Sequence, residues 1–498
     1  MTAEKKQGKV WLVGAGPSDA GLFTLKGKAV LETADVVVYD KLVGQGIMAM
    51  VPSHARKISV GKEAGHHPVP QHEINEILLR EALAGNYVVR LKGGDPFLFG
   101  RGGEELELLC RHNIPFEVVP GITSALSVPA YGGIPVTHRD FCSSLHIITG
   151  HTKKAEEADV DYEALVRLNG TLVFLMGVAA MPRICRGLLE AGMKPDMPAA
   201  VLERGTTAHQ RRVVATVSSL PGEAEKAGIK TPAVIVVGQV CTLERDFHWA
   251  EDRPLGTRKI AVTRPKDRSS SLAKKLQALG AEVVLMPTIE TRPIADNRRL
   301  YQALEQIKAY SWIAFTSAAG VQAFYAAMKE KKMDIRSLAG IKIAVIGAGT
   351  RRAVEEKGVF ADLMPEVYSG EALGRDLAKA VSPGERILLP RAAMGTEAVI
   401  RPLRDAEISF DDIAVYETNE GNQPVPGYDD TVDCVAFTSA STVRGFVKLN
   451  PDTDYSQVKA ICIGEQTAAA AEKYGMQVTV SKQATIDSMI ETILRMEP

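Results

Sequence analysis

Short runs of β-branched and aliphatic residues alternate with amphipathic segments through almost the whole chain, and that alternation decides the fold class. "KVWLVGAG", "ADVVVYD", "YVVRLKGGD", "FEVVPG", "LHIITG" and "TLVFLMG" read as buried strands. Continuous apolar strands separated by helices pack as parallel or mixed sheets covered on both faces, so the class is α/β. "QHEINEILLREALAGN" shows the intervening pattern: Ile74, Ile77, Leu78 and Ala82 share a helical face, and Gly85 marks the stop. At 498 residues the chain exceeds a single core, and about two to four domains are expected. "ERDFHWAEDRPLGTRK", Glu244 to Lys259, is charged, contains Pro and Gly and has no sustained period, so it reads as a linker.

The second half carries an internal repeat. "WIAFTSAAGVQAF" (Trp312–Phe324) matches "CVAFTSASTVRGF" (Cys434–Phe446), and "IGAGTRRAVEEKG" (Ile346–Gly358) matches "IGEQTAAAAEKYG" (Ile463–Gly475). Upstream of each pair a strand ends in an arginine, Arg264 in "IAVTRP" and Arg391 in "ILLPRA". Two similar lobes, each offering a guanidinium and strand-end hydroxyls, predict a ligand gripped by both; helix capping is the plain alternative for the hydroxyls.

Charge and cysteine usage remove several function classes. A formal net charge of −1 provides no global field for nucleic acid or an anionic membrane. No apolar run approaches the roughly 18 residues of a membrane helix, and no apolar stretch follows the N-terminal lysines, so no signal peptide is expected. Cys110, Cys142, Cys185, Cys241, Cys434 and Cys462 are scattered without a C-x-x-C pair, which predicts reduced thiols and a cytoplasmic protein. His66, His67 and His72 lack a neighbouring carboxylate or thiol cluster, and no metal is expected.

The opening stretch "VWLVGAGPSDAGLFTLKG" poses a sharper question. Gly14, Gly16 and Ala20 fit G-x-G-x-x-A, and Asp40 closes the next apolar run, as in a dinucleotide-binding start. That pattern alone allows a nicotinamide-dependent oxidoreductase. Gly21 and Gly27, however, interrupt the helix that would carry a pyrophosphate, and the first clean helical stretch begins only after Thr24. "YVVRLKGGDPFLFGRGGEE" is the stronger signal: a strand ends in Gly93-Gly94-Asp95-Pro96, where two residues without Cβ let a ligand touch the backbone beside a carboxylate.

Residues from about 10 to 245 resemble the uroporphyrinogen-III C-methyltransferases, tetrapyrrole methylases that use S-adenosylmethionine. "VGAGPSDAGLFTLKG", "VVYDKLV", "VGK", "RLKGGDPFLFGRGGEE", "VPGITSA", "GIPVTHRD", "TLVFLMG" and "TPAVIVVG" carry the resemblance. It implies two α/β domains over 8–245, a homodimer, and S-adenosyl-L-homocysteine as product of the methyl donor. It also implies that Pro17, Gly93, Gly94, Asp95, Leu98, Thr123, Ser124, Met176, Gly205 and Ala233 line the cofactor. Asp40 aligns with the family's proton acceptor and Lys62 with its proton donor; without the family they read as a strand-end cap and a solvated charge. Ser18 departs from a frequent glycine, and a residue so small is expected to leave the loop undisturbed.

After a linker at 246–258, residues 259–498 resemble uroporphyrinogen-III synthase, a two-lobed α/β fold that needs no cofactor. That family's chain starts in one lobe, crosses to build the second and returns. The crossings would be "MPTIETRP" and "AVYETNEG", giving lobe 1 as about 259–290 with 418–498 and lobe 2 as about 291–417. The resemblance implies that Tyr416 helps expel the substrate hydroxyl. Thr316, Ser317, Thr350, Thr438, Ser439 and Thr467 would bind propionate and acetate groups, with Arg264 and Arg391 as further carboxylate partners. Together the halves would convert hydroxymethylbilane to uroporphyrinogen III and methylate it twice to precorrin-2, for sirohaem or cobalamin. A non-catalytic tetrapyrrole sensor is the remaining alternative.

Overall fold

The computed structural model describes residues 8–61, 69–150, 160–263, 271–420 and 428–496. It contains four five-stranded sheets. The first is wholly parallel, in the order Arg56–Ser59, Val36–Tyr39, Tyr87–Lys92, Lys9–Gly14, Phe116–Val119. Side chains alternate across a strand, so each strand feeds two cores. Val10, Leu12, Val36, Val38 and Val88 pack on one face with Ile74, Leu78 and Ala82 of the helix Gln71–Leu83. Val13, Val37, Val89 and Leu91 pack on the other with Leu31 and Ile47. The helix ends where Gly85 turns at φ +88°, and Ile77 is only partly buried.

The helix after the opening motif is Leu25–Leu31, capped by Thr24, whose Oγ1 accepts from Gly27 N at 3.0 Å. Gly27 therefore does not interrupt a helix. It lies inside one, where a side chain would meet the Phe23 ring at 2.8 Å.

The second sheet is mixed, in the order Leu145–Thr149, Thr171–Leu175, Ala233–Val237, Pro198–Glu203, Arg211–Thr216. Only its first pair is parallel. The segment 246–258 that follows is packed along its length. Trp249 Nε1 donates to the Ala130 carbonyl at 3.0 Å, and Glu251 pairs with Arg212 at 2.6 Å. Leu255 is buried against the third sheet, and Arg253 donates to the carbonyls of Gln277 and Ala278. Single anchoring residues hold this segment, and they leave no periodic trace in its sequence.

Two compact units emerge from the contacts: Met1–Pro287 with Asn422–Pro498, and Thr288–Gly421. The larger contains the third sheet, parallel throughout, in the order Glu282–Leu285, Lys259–Val262, Cys434–Phe437, Lys459–Cys462, Gln477–Val480. The smaller contains the fourth, in the order Ile289–Pro293, Ser409–Glu420, Arg386–Ala392, Trp312–Phe315, Lys342–Val345. This sheet is parallel except for its edge, where Ile289–Pro293 runs antiparallel and Pro293 lies opposite Tyr416. The repeated segments fold alike in their own units. A strand ends at Phe315 or Phe437, and Ser317 or Ser439 caps the helix Ala318–Glu330 or Ala440–Leu449. Among the described residues no helix is long and apolar enough to cross a membrane.

Candidate active site

Three loops at the carboxyl edge of the first sheet are built on glycine. Gly16 and Gly94 exchange backbone hydrogen bonds, Gly16 N to Gly94 O at 3.1 Å and Gly94 N to Gly16 O at 2.8 Å. A side chain on Gly14 would collide with the Gly121 backbone, and one on Gly121 with the Gly94 carbonyl. The opening G-x-G thus serves backbone-to-backbone packing between strand-end loops. Gly94 itself turns at φ +68°, and a side chain there would enter open space with no protein atom within 4 Å. A ligand resting on that backbone meets no Cβ, which is the fit expected of the residue nearest a cofactor.

Asp95 does not present a free carboxylate. Its Oδ1 accepts from Phe97 N at 2.8 Å and Leu98 N at 3.1 Å, and its Oδ2 accepts from Gly121 N at 3.0 Å. It locks the loop and ties it to the segment leading to Thr123. Thr123 caps the helix Ser124–Tyr131, its Oγ1 accepting from Ala125 N at 3.2 Å, and Leu98 packs against the core beneath that helix. A side chain on Gly93 would meet Leu42 Cβ at 2.6 Å.

The second sheet brings Met176, Gly205 and Ala233 to one end. Met176 follows the strand Thr171–Leu175, Gly205 follows Pro198–Glu203, and Ala233 begins the antiparallel strand between them, opposite Glu203. Met176 adopts φ +55° and remains 53% exposed, unusual for a core methionine. A side chain on Gly205 would strike Val128. Thr206 Oγ1 donates to the Pro17 carbonyl at 3.2 Å, so this end of the second sheet meets the Pro17 loop of the first. Ser18 adopts φ +132°, a region that favours glycine, so the loop is not indifferent to the serine.

Asp40 stands at the end of Val36–Tyr39, with Oδ1 accepting from Gly93 N at 3.3 Å and Oδ2 from Arg90 Nη2 at 3.4 Å. Its side chain is 27% exposed. Behind it lies a cluster that the sequence reading missed. Glu105, fully buried, accepts through Oε1 from Arg90 Nε at 3.1 Å and Lys92 Nζ at 2.8 Å. Glu105 Oε2 is buried without a hydrogen-bond partner. Burial pushes the Lys92 ammonium below its ordinary pKa, and the Arg90 charge adds to the effect. A signal existed: two cations two residues apart on a central parallel strand share a face and need a buried anion. Lys62, His66 and His67 lie outside the described residues.

In the second half of the chain, Tyr416 is buried to 9% exposure, and its hydroxyl lies 2.9 Å from Ser317 Oγ. Ser317 Oγ also accepts from Gly320 N at 3.0 Å, and Ser439 Oγ accepts from Thr442 N at 3.4 Å. Thr316 and Thr438 precede those serines and are half-buried. Thr350 and Thr467 are buried in the first turns of Ala348–Glu355 and Glu465–Glu472, whose starts have no side-chain cap. Arg391 is 7% exposed and held by Asp412 through two contacts of 2.5 Å, with Nη1 donating to the Thr396 carbonyl at 2.9 Å. Its guanidinium is thus engaged inside its own lobe, by Asp412 and the Thr396 carbonyl. Arg264 lies outside the described residues.

Residues 9–221 match the tetrapyrrole (corrin/porphyrin) methylases, and residues 270–491 match uroporphyrinogen-III synthase HemD. The chain is 48% identical over 494 residues to the porphyrin biosynthesis protein HemD of Ruminiclostridium josui, covering 98% of each. It is 52% identical to the S-adenosyl-L-methionine-dependent uroporphyrinogen III methyltransferase of Methanosarcina barkeri, over 47% of this chain and 93% of that one. The crystal structure of the Thermus thermophilus uroporphyrin-III C-methyl transferase with S-adenyl homocysteine aligns at 41% identity and TM-score 0.41, over 47% of this chain and 99% of that one. The chain is thus a two-activity enzyme of tetrapyrrole biosynthesis, a methylase joined to a synthase. It belongs to the porphyrin biosynthesis protein HemD family, with the methylase at 9–221 and the synthase at 270–491.

Proposed function

We propose that residues 8–245 methylate uroporphyrinogen III twice to precorrin-2, and that residues 259–498 make that uroporphyrinogen III from hydroxymethylbilane with inversion of one ring and loss of water. The open space over Gly94, at the edge where Asp40 and the Pro17 loop also end, carries the methyltransferase reading. S-adenosylmethionine, when bound, supplies an electrophilic methyl group on a sulfonium. Gly93, Gly94, Pro17 and Met176 orient it by close backbone and thioether contact, while Asp95 and Gly205 hold the loops that make contact possible. Asp40 is fixed by Gly93 N and Arg90 so that its carboxylate accepts a proton as the macrocycle rearranges. Lys62 is the corresponding donor. Leu42, Phe97, Phe99 and Met176 are exposed hydrophobics on these loops, suited to a flat macrocycle.

In the synthase, Tyr416 and Ser317 act on the departing hydroxyl. In the smaller unit the uncapped helix start at Ala348 offers backbone N–H groups to a carboxylate, with Thr316 as a further donor. In the larger unit the helix start at Glu465 does the same, with Thr438 and Ser439. The protein works in the cytoplasm as a homodimer joined through its methyltransferase half, and its product serves sirohaem or cobalamin. The test is methyl transfer from labelled S-adenosylmethionine to added uroporphyrinogen III: Asp40→Ala should lose about 10²–10⁴-fold in rate while still binding S-adenosylhomocysteine. Full activity would return Asp40 to a strand-end cap.

A further inference from the structure

Two loops of the methyltransferase half are held by the first synthase lobe as well as by their own domain. The loop from Arg204 to Gln210 carries Gly205 and, through Thr206, touches Pro17. Ala208, 6% exposed, donates its backbone N–H to Glu282 Oε2 at 2.8 Å, and Glu282 begins a strand of the third sheet. His209 Nε2 lies 2.7 Å from the Thr431 carbonyl. The second loop follows Asp40: Gln45 Nε2 donates to Asp429 Oδ2 at 3.1 Å, and the helix Gln45–Met48 packs against Glu282–Leu285. Asp429 is fixed from behind by Lys259 Nζ, 3.3 Å from both carboxylate oxygens, and by Thr431 N at 3.0 Å.

A connecting segment alone would leave these loops to the methyltransferase half. A buried backbone N–H needs a partner, and at Ala208 that partner is a side chain of the other enzyme. We propose that the first synthase lobe is a built-in brace for the methyltransferase, with Glu282 and Thr431 positioning the cofactor-side loop and Asp429 positioning the loop that follows Asp40. This rests on the reading that those loops border cofactor and macrocycle. The brace acts on binding, because it orders loops that a ligand would otherwise have to order.

The test uses the full chain. Glu282→Ala should weaken S-adenosylhomocysteine binding in calorimetry by about threefold or more and raise KM for S-adenosylmethionine in step, as loss of one hydrogen bond predicts. Its kcat should stay within about twofold, because no reacting group has moved. Glu282→Gln, which keeps an acceptor for Ala208 N–H, should restore binding. His209→Ala tests the same loop from the methyltransferase side and should weaken binding in the same direction. Ring closure of hydroxymethylbilane, measured on the same proteins, reports that the lobe remains folded. Unchanged affinity in both Glu282→Ala and His209→Ala overturns the brace while leaving the site reading intact. Failure of the wild-type chain to bind S-adenosylhomocysteine overturns both.

Discussion

The Tyr416 hydroxyl lies 2.9 Å from Ser317 Oγ, although the two residues come from different elements of the fourth sheet's unit. Tyr416 sits in the return strand Ser409–Glu420, and Ser317 caps the helix after Trp312–Phe315. The pair gives the phenol a fixed direction. Tyr416→Phe keeps the ring's packing and removes the donor, so formation of the type III isomer should slow by about tenfold or more. The type I isomer, which forms without inversion, should accumulate instead. Chromatographic separation of the two isomers reads the outcome, and methylation of added uroporphyrinogen III should be unaffected.

Gly94 and Gly121 lie side by side and should fail in different ways. A Cβ at Gly94 meets no protein atom within 4 Å, whereas one at Gly121 meets the Gly94 carbonyl. Gly94→Ala should therefore abolish S-adenosylhomocysteine binding in calorimetry beyond any effect of its strained φ on stability. Gly121→Ala should appear first as lost stability. Equal affinity in wild type and Gly94→Ala would remove the ligand from that space.

The alternation of buried strands with amphipathic helices was readable because burial on both faces leaves only apolar residues on a strand, as in Val36–Tyr39 and Thr171–Leu175. The helix start after Thr24 was legible from the apolar run that follows it, whereas for Ser317 capping stood only as the alternative to ligand binding. The candidate site was readable mainly as a set of glycines. Partners were harder to read: nothing near Arg391 announces Asp412, and Arg90 with Lys92 announces a buried anion without saying that Glu105 is the one. Asp95 was read as a ligand-facing carboxylate because its three amide partners lie on loops whose approach only the fold defines.

Ser18 at φ +132° stores strain that glycine would release. Ser18→Gly should raise stability by about 1 kcal/mol, after allowing for the freedom glycine adds to the unfolded chain. The unfolding transition that S-adenosylhomocysteine shifts is the one to follow. A loss of stability would show that the serine's contacts outweigh its backbone.

Glu105 is the anion shared by two buried cations, and Glu105→Gln should destabilise the protein by about 3 kcal/mol at neutral pH. The deficit should depend on pH. Lys92 already has a lowered pKa from burial and from Arg90, and losing Glu105 lowers it further. Between that value and the unfolded lysine's, the unfolded chain holds the extra proton, so stability rises with pH. Denaturant titrations from neutral to alkaline pH should show the variant approaching wild type, and a widening gap would contradict the charge account.

One chain is proposed to close the macrocycle and then methylate it. Purified protein given hydroxymethylbilane and methyl-labelled S-adenosylmethionine, with the tetrapyrrole identified by mass and isomer analysis, tests that claim directly. The expected product is a type III macrocycle carrying two labelled methyl groups. Unlabelled uroporphyrinogen III, or a product of the type I isomer, would contradict it.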